Sequence, residues 1–144
     1  VNIVTGGRRE LLTHSDVMTL LTGGVHKHKF PTEIDLTGKV SAVLRLVGGW
    51  GRSTQSATYP RLAVIVQADP TRTVDGGITA ENADDRAIAA LAAIDRHFHR
   101  TTREVVFWGT VRVLGSNRET EPTEVNRPNN LTSWWQQIYD VKVG

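Results

Sequence analysis

The stretch Arg61–Asp69, "RLAVIVQAD", sets the terms for the whole chain. Leu62 through Val66 are apolar without interruption. A strand with apolar side chains on both faces has to be covered on both, so this one belongs in the middle of a sheet. A second strand, "KVSAVLRLVGG" at Lys39–Gly49, precedes it and is rich in Val and Leu.

The segment Gly48–Tyr59 joins these two strands. Its glycines, Gly48, Gly49 and Gly51, raise the question of a phosphate-binding loop. A Walker-type loop needs a lysine before a Ser/Thr and a helix directly after it. Here Arg52-Ser53-Thr54-Gln55 follow, then Tyr59-Pro60 and a strand. The dinucleotide pattern of three spaced glycines is not met either. The segment is a strand-to-strand loop, longer than a tight hairpin turn, and loops of that kind tend to carry contacts.

The clearest helix is "AENADDRAIAALAAIDRHFHR". Ala87, Leu91, Ile94 and Phe98 fall on one stripe, which needs a sheet to pack on. Glu81, Asp84 and Asp85 lie near its start and Arg96, Arg100 and Arg103 near or beyond its end, as the helix dipole favours. Residues 1–7 read as a loose arm ending at Gly6-Gly7. "RRELLTHSDVMTLLTGG" reads as an N-terminal helix stopped by Gly23-Gly24, with Ser15-Asp16 able to start a second, shorter one. "VHKHKFPTEIDLTGK" reads as a connector and "PTRTVDGGIT" as a turn or loop. "REVVFWGTVRVLG" reads as a third strand. Residues 115–133 read as a long polar loop. "SWWQQIYDVKVG" is the last strand, with Trp135, Gln137, Tyr139, Val141 and Val143 on one face.

The expected fold is therefore α+β: a mostly antiparallel four-stranded sheet packed by one long helix and an N-terminal helix. At 144 residues, a single domain over 1–144 is expected. The net charge of +2 does not argue for nucleic-acid binding. The chain has no cysteine, which removes disulfides and thiolate metal sites and fits a reducing compartment. No apolar run approaches the roughly 20 residues of a membrane span. No charged-then-apolar leader opens the chain, which argues against a signal peptide. Val1 fits an excised Met or a GTG start codon.

Catalytic constellations are scarce. His26/His28 and His97/His99 are paired, as zinc ligands can be. Positions i and i+2 at a helix end diverge, however, and His26 and His28 alternate with lysines. Asp84-Asp85 suit the start of a helix better than acid–base work. Ser53, Thr54, Ser56 and Thr58 lie in no nucleophile elbow. Arg52, Arg61, Arg72 and Arg118 are dispersed. No catalytic residue, cofactor or metal is expected. The four tryptophans outnumber the two tyrosines, and Trp50, Trp134 and Trp135 flank loops. Tryptophan is enriched in protein–protein hot spots, which points to a binding protein.

The order of "VLRLVGG" (Val43–Gly49), "YPRLAVIVQAD" (Tyr59–Asp69), the alanine-rich helix, "VRVLGSNRETEP" (Val111–Pro122) and "IYDVKV" (Ile138–Val143) resembles the tail terminator family of long-tailed bacteriophages. These are also called minor tail or tail-completion proteins, and the likeness is to those from phages of actinobacteria. It spans nearly the whole chain. The loop of 115–133 departs from the family pattern, which would place a Gly-Pro and an aromatic there.

The resemblance implies a homo-hexameric ring with a central channel that caps the tail tube and ends tail polymerisation. It also implies partners: the tail tube protein, a head–tail connector or stopper protein, and genomic DNA passing through without sequence-specific binding. The expected location is the virion neck, with assembly in the host cytoplasm and no membrane contact. Trp50, Arg52, Tyr59, Arg118, Trp134 and Trp135 are then the candidate subunit or tube contacts. The alternatives are another neck or connector protein of the same virion, or a small metal- or phosphate-dependent enzyme built on the His pairs and arginines.

Overall fold

The computed structural model describes residues 2–33, 38–47, 58–69, 71–72, 78–100, 104–125 and 132–144. In chain order the elements are α1 (Ile3–Leu12), α2 (Ser15–Leu20), β1 (Val25–Lys27), β2 (Val40–Leu46), β3 (Arg61–Ala68), β4 (Thr71–Arg72) and β5 (Ile78–Thr79). They continue with α3 (Ala80–Phe98), β6 (Val106–Trp108), β7 (Val111–Arg118), β8 (Thr123–Glu124) and β9 (Ser133–Val143).

The main sheet has seven strands in the order β1-β2-β3-β9-β7-β6, with β8 also pairing β9. The expected α+β class holds, but the sheet is larger than four strands and it is mixed. β1 and β2 run parallel, and the other pairs are antiparallel. As its apolar run requires, β3 is central, with Val64 opposite Leu44 of β2 and Gln137 of β9. β4 and β5 form a separate two-stranded ladder.

Three local causes enlarge the sheet. "REVVFWGTVRVLG" is a hairpin rather than one strand: Trp108 pairs with Val111 across a turn of Gly109 and Thr110. Gly109 has φ +64°, the left-handed conformation a tight hairpin turn demands at its first central residue. The "VHKHK" connector contributes β1, held by Ala42 N–H to Gly24 O at 3.0 Å and His28 N–H to Leu44 O at 2.8 Å. Finally, parts of the expected loop of 115–133 are strand: the end of β7 to Arg118, β8 at Thr123–Glu124, and Ser133 at the start of β9. A register shift between Val113 and Gly115 marks a bulge, after which Gly115–Arg118 pair with Lys142–Tyr139.

α3 lies over β3 and β9. Its stripe is buried as read: Ala87, Leu91, Ile94 and Phe98 have no exposed surface. Alanines at 83, 87, 90 and 93 are buried too and let the helix approach the sheet closely. Full burial of Leu91 and Ile94 contributes about 1.5–3 kcal/mol each. Phe98 stacks on Trp108 at 4.5 Å between ring centroids and meets Tyr139 edge-on at 5.5 Å.

The expected loose arm is helical. Asn2 caps α1, its side-chain oxygen accepting from Val4 N–H at 3.0 Å and Thr5 N–H at 3.2 Å. Gly6 and Gly7 do not end an arm; they are buried within the helix. A second helix does start at Ser15, and it packs between α1 and α3. α1 itself touches β1 and β2 on one side and β6 on the other. It thus spans the gap between the two terminal strands of the curled sheet. Arg8 of α1 donates from Nε to Val25 O of β1 at 2.8 Å.

Candidate assembly surface

Alternation along the strands divides the sheet into a helix face and a far face. Val40, Ala42 and Leu44 of β2, Leu62, Val64 and Val66 of β3, and Tyr139 and Val141 of β9 belong to the core under the helices. Their neighbours in sequence point the other way.

The tryptophan pair is split by this rule. Trp135 lies on the helix face, packs against the core, and donates its indole N–H to Asp84 Oδ1 of α3 at 2.9 Å. Trp134 lies on the far face, half-buried, with the Phe30 ring 5.3 Å away and tilted by 51°. The segment after β1 therefore crosses the far face. Cross-strand register puts Ser41, Gln67 and Trp134 in one row on that face. The Trp134 indole N–H and the Ser41 hydroxyl are buried there without a hydrogen-bond partner among the described residues.

Tyr59 joins the far face at another point. Thr58 bridges Val143 through two 2.8 Å backbone hydrogen bonds, and Lys142 Nζ sits 5.7 Å from the Tyr59 ring centroid. Beyond β7, Phe107 pairs with Arg112 and is 60% exposed. The far face thus carries aromatic rings at separated points; its middle, at Ser41, Val43, Ala63 and Ile65, is buried, and no helix packs on it among the described residues. Trp50 and Arg52 lie outside the described residues.

Arg118 is engaged within the subunit. Its Nη1 donates to Asp95 Oδ2 at 2.9 Å, its Nη2 to Glu121 Oε1 at 3.2 Å, and its backbone N–H to His99 Nδ1 at 2.9 Å. Asp95 Oδ1 also accepts from the Tyr139 hydroxyl at 2.8 Å, and Gln137 Oε1 lies 3.0 Å from that oxygen. One hydroxyl has one proton, so the carboxylate takes it and the Gln137 amide meets the oxygen through its own donor end. Burial, reinforced by the Asp95 hydrogen bond, pushes the Tyr139 phenol well above its ordinary pKa. The network latches α3 to β7 and β9.

The paired histidines diverge as the helical spacing requires. His99 turns to β7, while His97 turns to α2, where its Nε2 lies 3.0 Å from both oxygens of Asp16. The His97 ring stacks on His14 at 3.6 Å with the planes 13° apart. His14 Nε2 is 2.9 Å from Glu10 Oε1. The hydrogen bond from His97 holds the Asp16 carboxyl below its ordinary pKa. His26 turns to Gly23 O at 2.8 Å. Asp16 was read only as part of a helix start and His14 not at all, since only the packing of α2 on α3 brings them to His97. The one local signal was "THSD" at a helix junction.

No protein-family model matches the chain, and no curated protein sequence does. Among solved structures, the fold is similar to a chain in the virion of a native gene transfer agent particle. The TM-score is 0.60 and the identity 14%, over 95% of this chain and 90% of that one. At that identity the likeness is one of fold, and it holds for nearly the full length of both chains.

Proposed function

We propose that this chain is a structural virion protein of a phage-like particle. More specifically, it forms a hexameric ring at the head-proximal end of the tail tube, ends tube polymerisation and offers the surface to which the head joins. The observation that carries the virion reading is the full-length fold similarity to a chain of an assembled virion. The order of sequence motifs supports the tail-terminator reading.

The far face supports a contact role. Trp134, Phe30, Tyr59 and Phe107 present aromatic surface outside the helix-covered core. Groups that could do acid–base work, Tyr139, Asp95 and Arg118, are engaged with one another across α3, β7 and β9. Tyr59 and Trp134 are the proposed centre of subunit or tube contact, with Trp50 and Arg52, outside the described residues, as further candidates. Trp135 and Arg118 brace the sheet behind them. The partners are further copies of this chain, the tail tube protein and a connector protein.

Native mass spectrometry and negative-stain imaging of the purified chain, alone and with tail tubes, test the reading. Six-fold rings are expected free or at tube ends. A strictly monomeric species both at high concentration and on tubes overturns the ring. In a phage lacking the gene, tails of runaway length are expected; tails of normal length that fail to join heads favour another neck or connector protein.

A further inference from the structure

We infer that His14, Asp16 and His97 form a binding site for one divalent transition-metal ion of the zinc class, joining the α1–α2 junction to the end of α3. One donor atom from each residue lies within 4.8 Å of the others. Zinc holds nitrogen and carboxylate oxygen at about 2.0–2.2 Å, so neighbouring ligand atoms in a tetrahedral shell stand about 3.3–3.5 Å apart. The 3.0 Å separations of His97 Nε2 from the Asp16 oxygens, a hydrogen bond in the absence of an ion, are close to that shell edge once Nε2 gives up its proton to the solvent. His14 has to turn its ring out of the stack with His97 to bring its lone pair to the same ion.

The surroundings suit ligation. All three residues sit on or beside helices that pack together, α2 against both α1 and α3. Glu10 Oε1, 2.9 Å from His14 Nε2, accepts the proton of that nitrogen and leaves Nδ1 with its lone pair free. This carboxylate–histidine arrangement is the usual way a ligating imidazole is oriented. The 3.6 Å stack sets the two rings face to face with their in-plane lone pairs nearly parallel, so the ion competes with the stack for His14. Two imidazoles and one carboxylate select borderline ions such as Zn²⁺, Co²⁺ or Ni²⁺ over Mg²⁺ and Ca²⁺, which prefer all-oxygen shells. Three protein ligands leave a fourth position for water or a group from a neighbouring molecule.

One contact opposes the ion. Arg96 Nη2 reaches Asp16 Oδ2 at 3.4 Å from a side chain that is mostly exposed. A cation at the site displaces this guanidinium, so Arg96 sets the affinity without ligating.

Isothermal titration calorimetry of the whole chain with ZnCl₂ near neutral pH tests the site. One ion per chain is expected. Affinity should fall at least about tenfold in His97→Gln and in Asp16→Asn, and rise in Arg96→Gln. Binding should weaken at about pH 5.5, where protons compete for the imidazoles. Asp16 is exposed enough that its variant keeps the fold, which circular dichroism checks. Unchanged binding in either ligand variant overturns the site. So does loss of binding in a His26→Gln/His28→Gln control, weaker binding in Arg96→Gln, or equally tight binding of Mg²⁺.

Discussion

A Cβ on Gly6 of α1 would stand 2.6 Å from the carbonyl oxygen of Trp108 and 2.7 Å from a methyl of Val111. The neighbour is backbone, so it cannot turn aside. Gly6→Ala is expected to cost about 1–3 kcal/mol, the range for overpacking a tight contact, despite alanine's better helix propensity. At Gly7 the nearest atoms are side-chain carbons of Leu44, Phe98 and Leu62 at 3.4–3.5 Å. Gly7→Ala is expected to be neutral or stabilising by up to about 1 kcal/mol. Urea titration of both variants checks the contrast; equal effects would contradict it.

The Tyr139 hydroxyl is buried and donates to a carboxylate that also receives Arg118. Tyr139→Phe is expected to cost about 1.5–3 kcal/mol, the range for a hydrogen bond to a charged group. Chemical denaturation measures it. A loss under about 0.5 kcal/mol, typical of surface changes, would mean the latch does not hold the helix to the sheet.

How much of this was legible in the sequence depends on how local each cause is. The stripe of Ala87, Leu91, Ile94 and Phe98 and the alternation from Trp135 to Val143 repeat with a period, and both faces came out as read. The central place of β3 followed from its uninterrupted apolar run. The hairpin of β6 and β7 had one local signal, Gly109 as the first central residue of a Gly-X turn, and the continuous run of β-formers around it read as one strand instead. β1 escaped because it is three residues long and polar outward. Gly6-Gly7 read as a break because the close neighbours that require a glycine at position 6, Trp108 and Val111, come about a hundred positions later. His14, Asp16 and His97 were unreadable as a group for the same reason: the His97–Asp16 contact spans 81 positions.

The two adjacent tryptophans should separate in experiment. Trp134→Ala is expected to weaken ring or tube association by about 2 kcal/mol or more while leaving most of the folding stability. Trp135→Phe removes the bond to Asp84 and is expected to lower the melting temperature while association survives. Sedimentation and thermal melting on both variants check this. If Trp134→Ala abolishes folding, its ring belongs to the fold and not to the contact surface.

Acid titration reads the contact of Asp16 with His97. A carboxyl whose pKa falls on folding adds stability above its unfolded pKa, and that gain is lost as pH falls through the lowered folded value. Asp16 is such a group, through its hydrogen bond from His97. The stability difference between the parent and His97→Gln should therefore shrink as pH falls through the acid range. By NMR, the Asp16 carboxyl should titrate below about 3.9 in the parent and return toward it in His97→Gln. An ordinary midpoint in the parent would show that the contact does not persist in solution.

The hydrogen bond from Arg8 to Val25 O has a bearing on how copies of the chain can meet. In the parallel β1–β2 pair, Gly24 and His28 bond to β2, so Val25 and Lys27 turn their carbonyls outward. Arg8 occupies the first, and the Lys29 N–H occupies the second at 2.8 Å. A strand from another molecule finds both outward carbonyls of β1 taken, so sheet extension is opposed at this edge. A neighbour that meets the chain at this edge is held there by side chains rather than by a strand ladder. Open-ended fibres, which grow by strand addition at a bare margin, are denied their template at this side of the molecule.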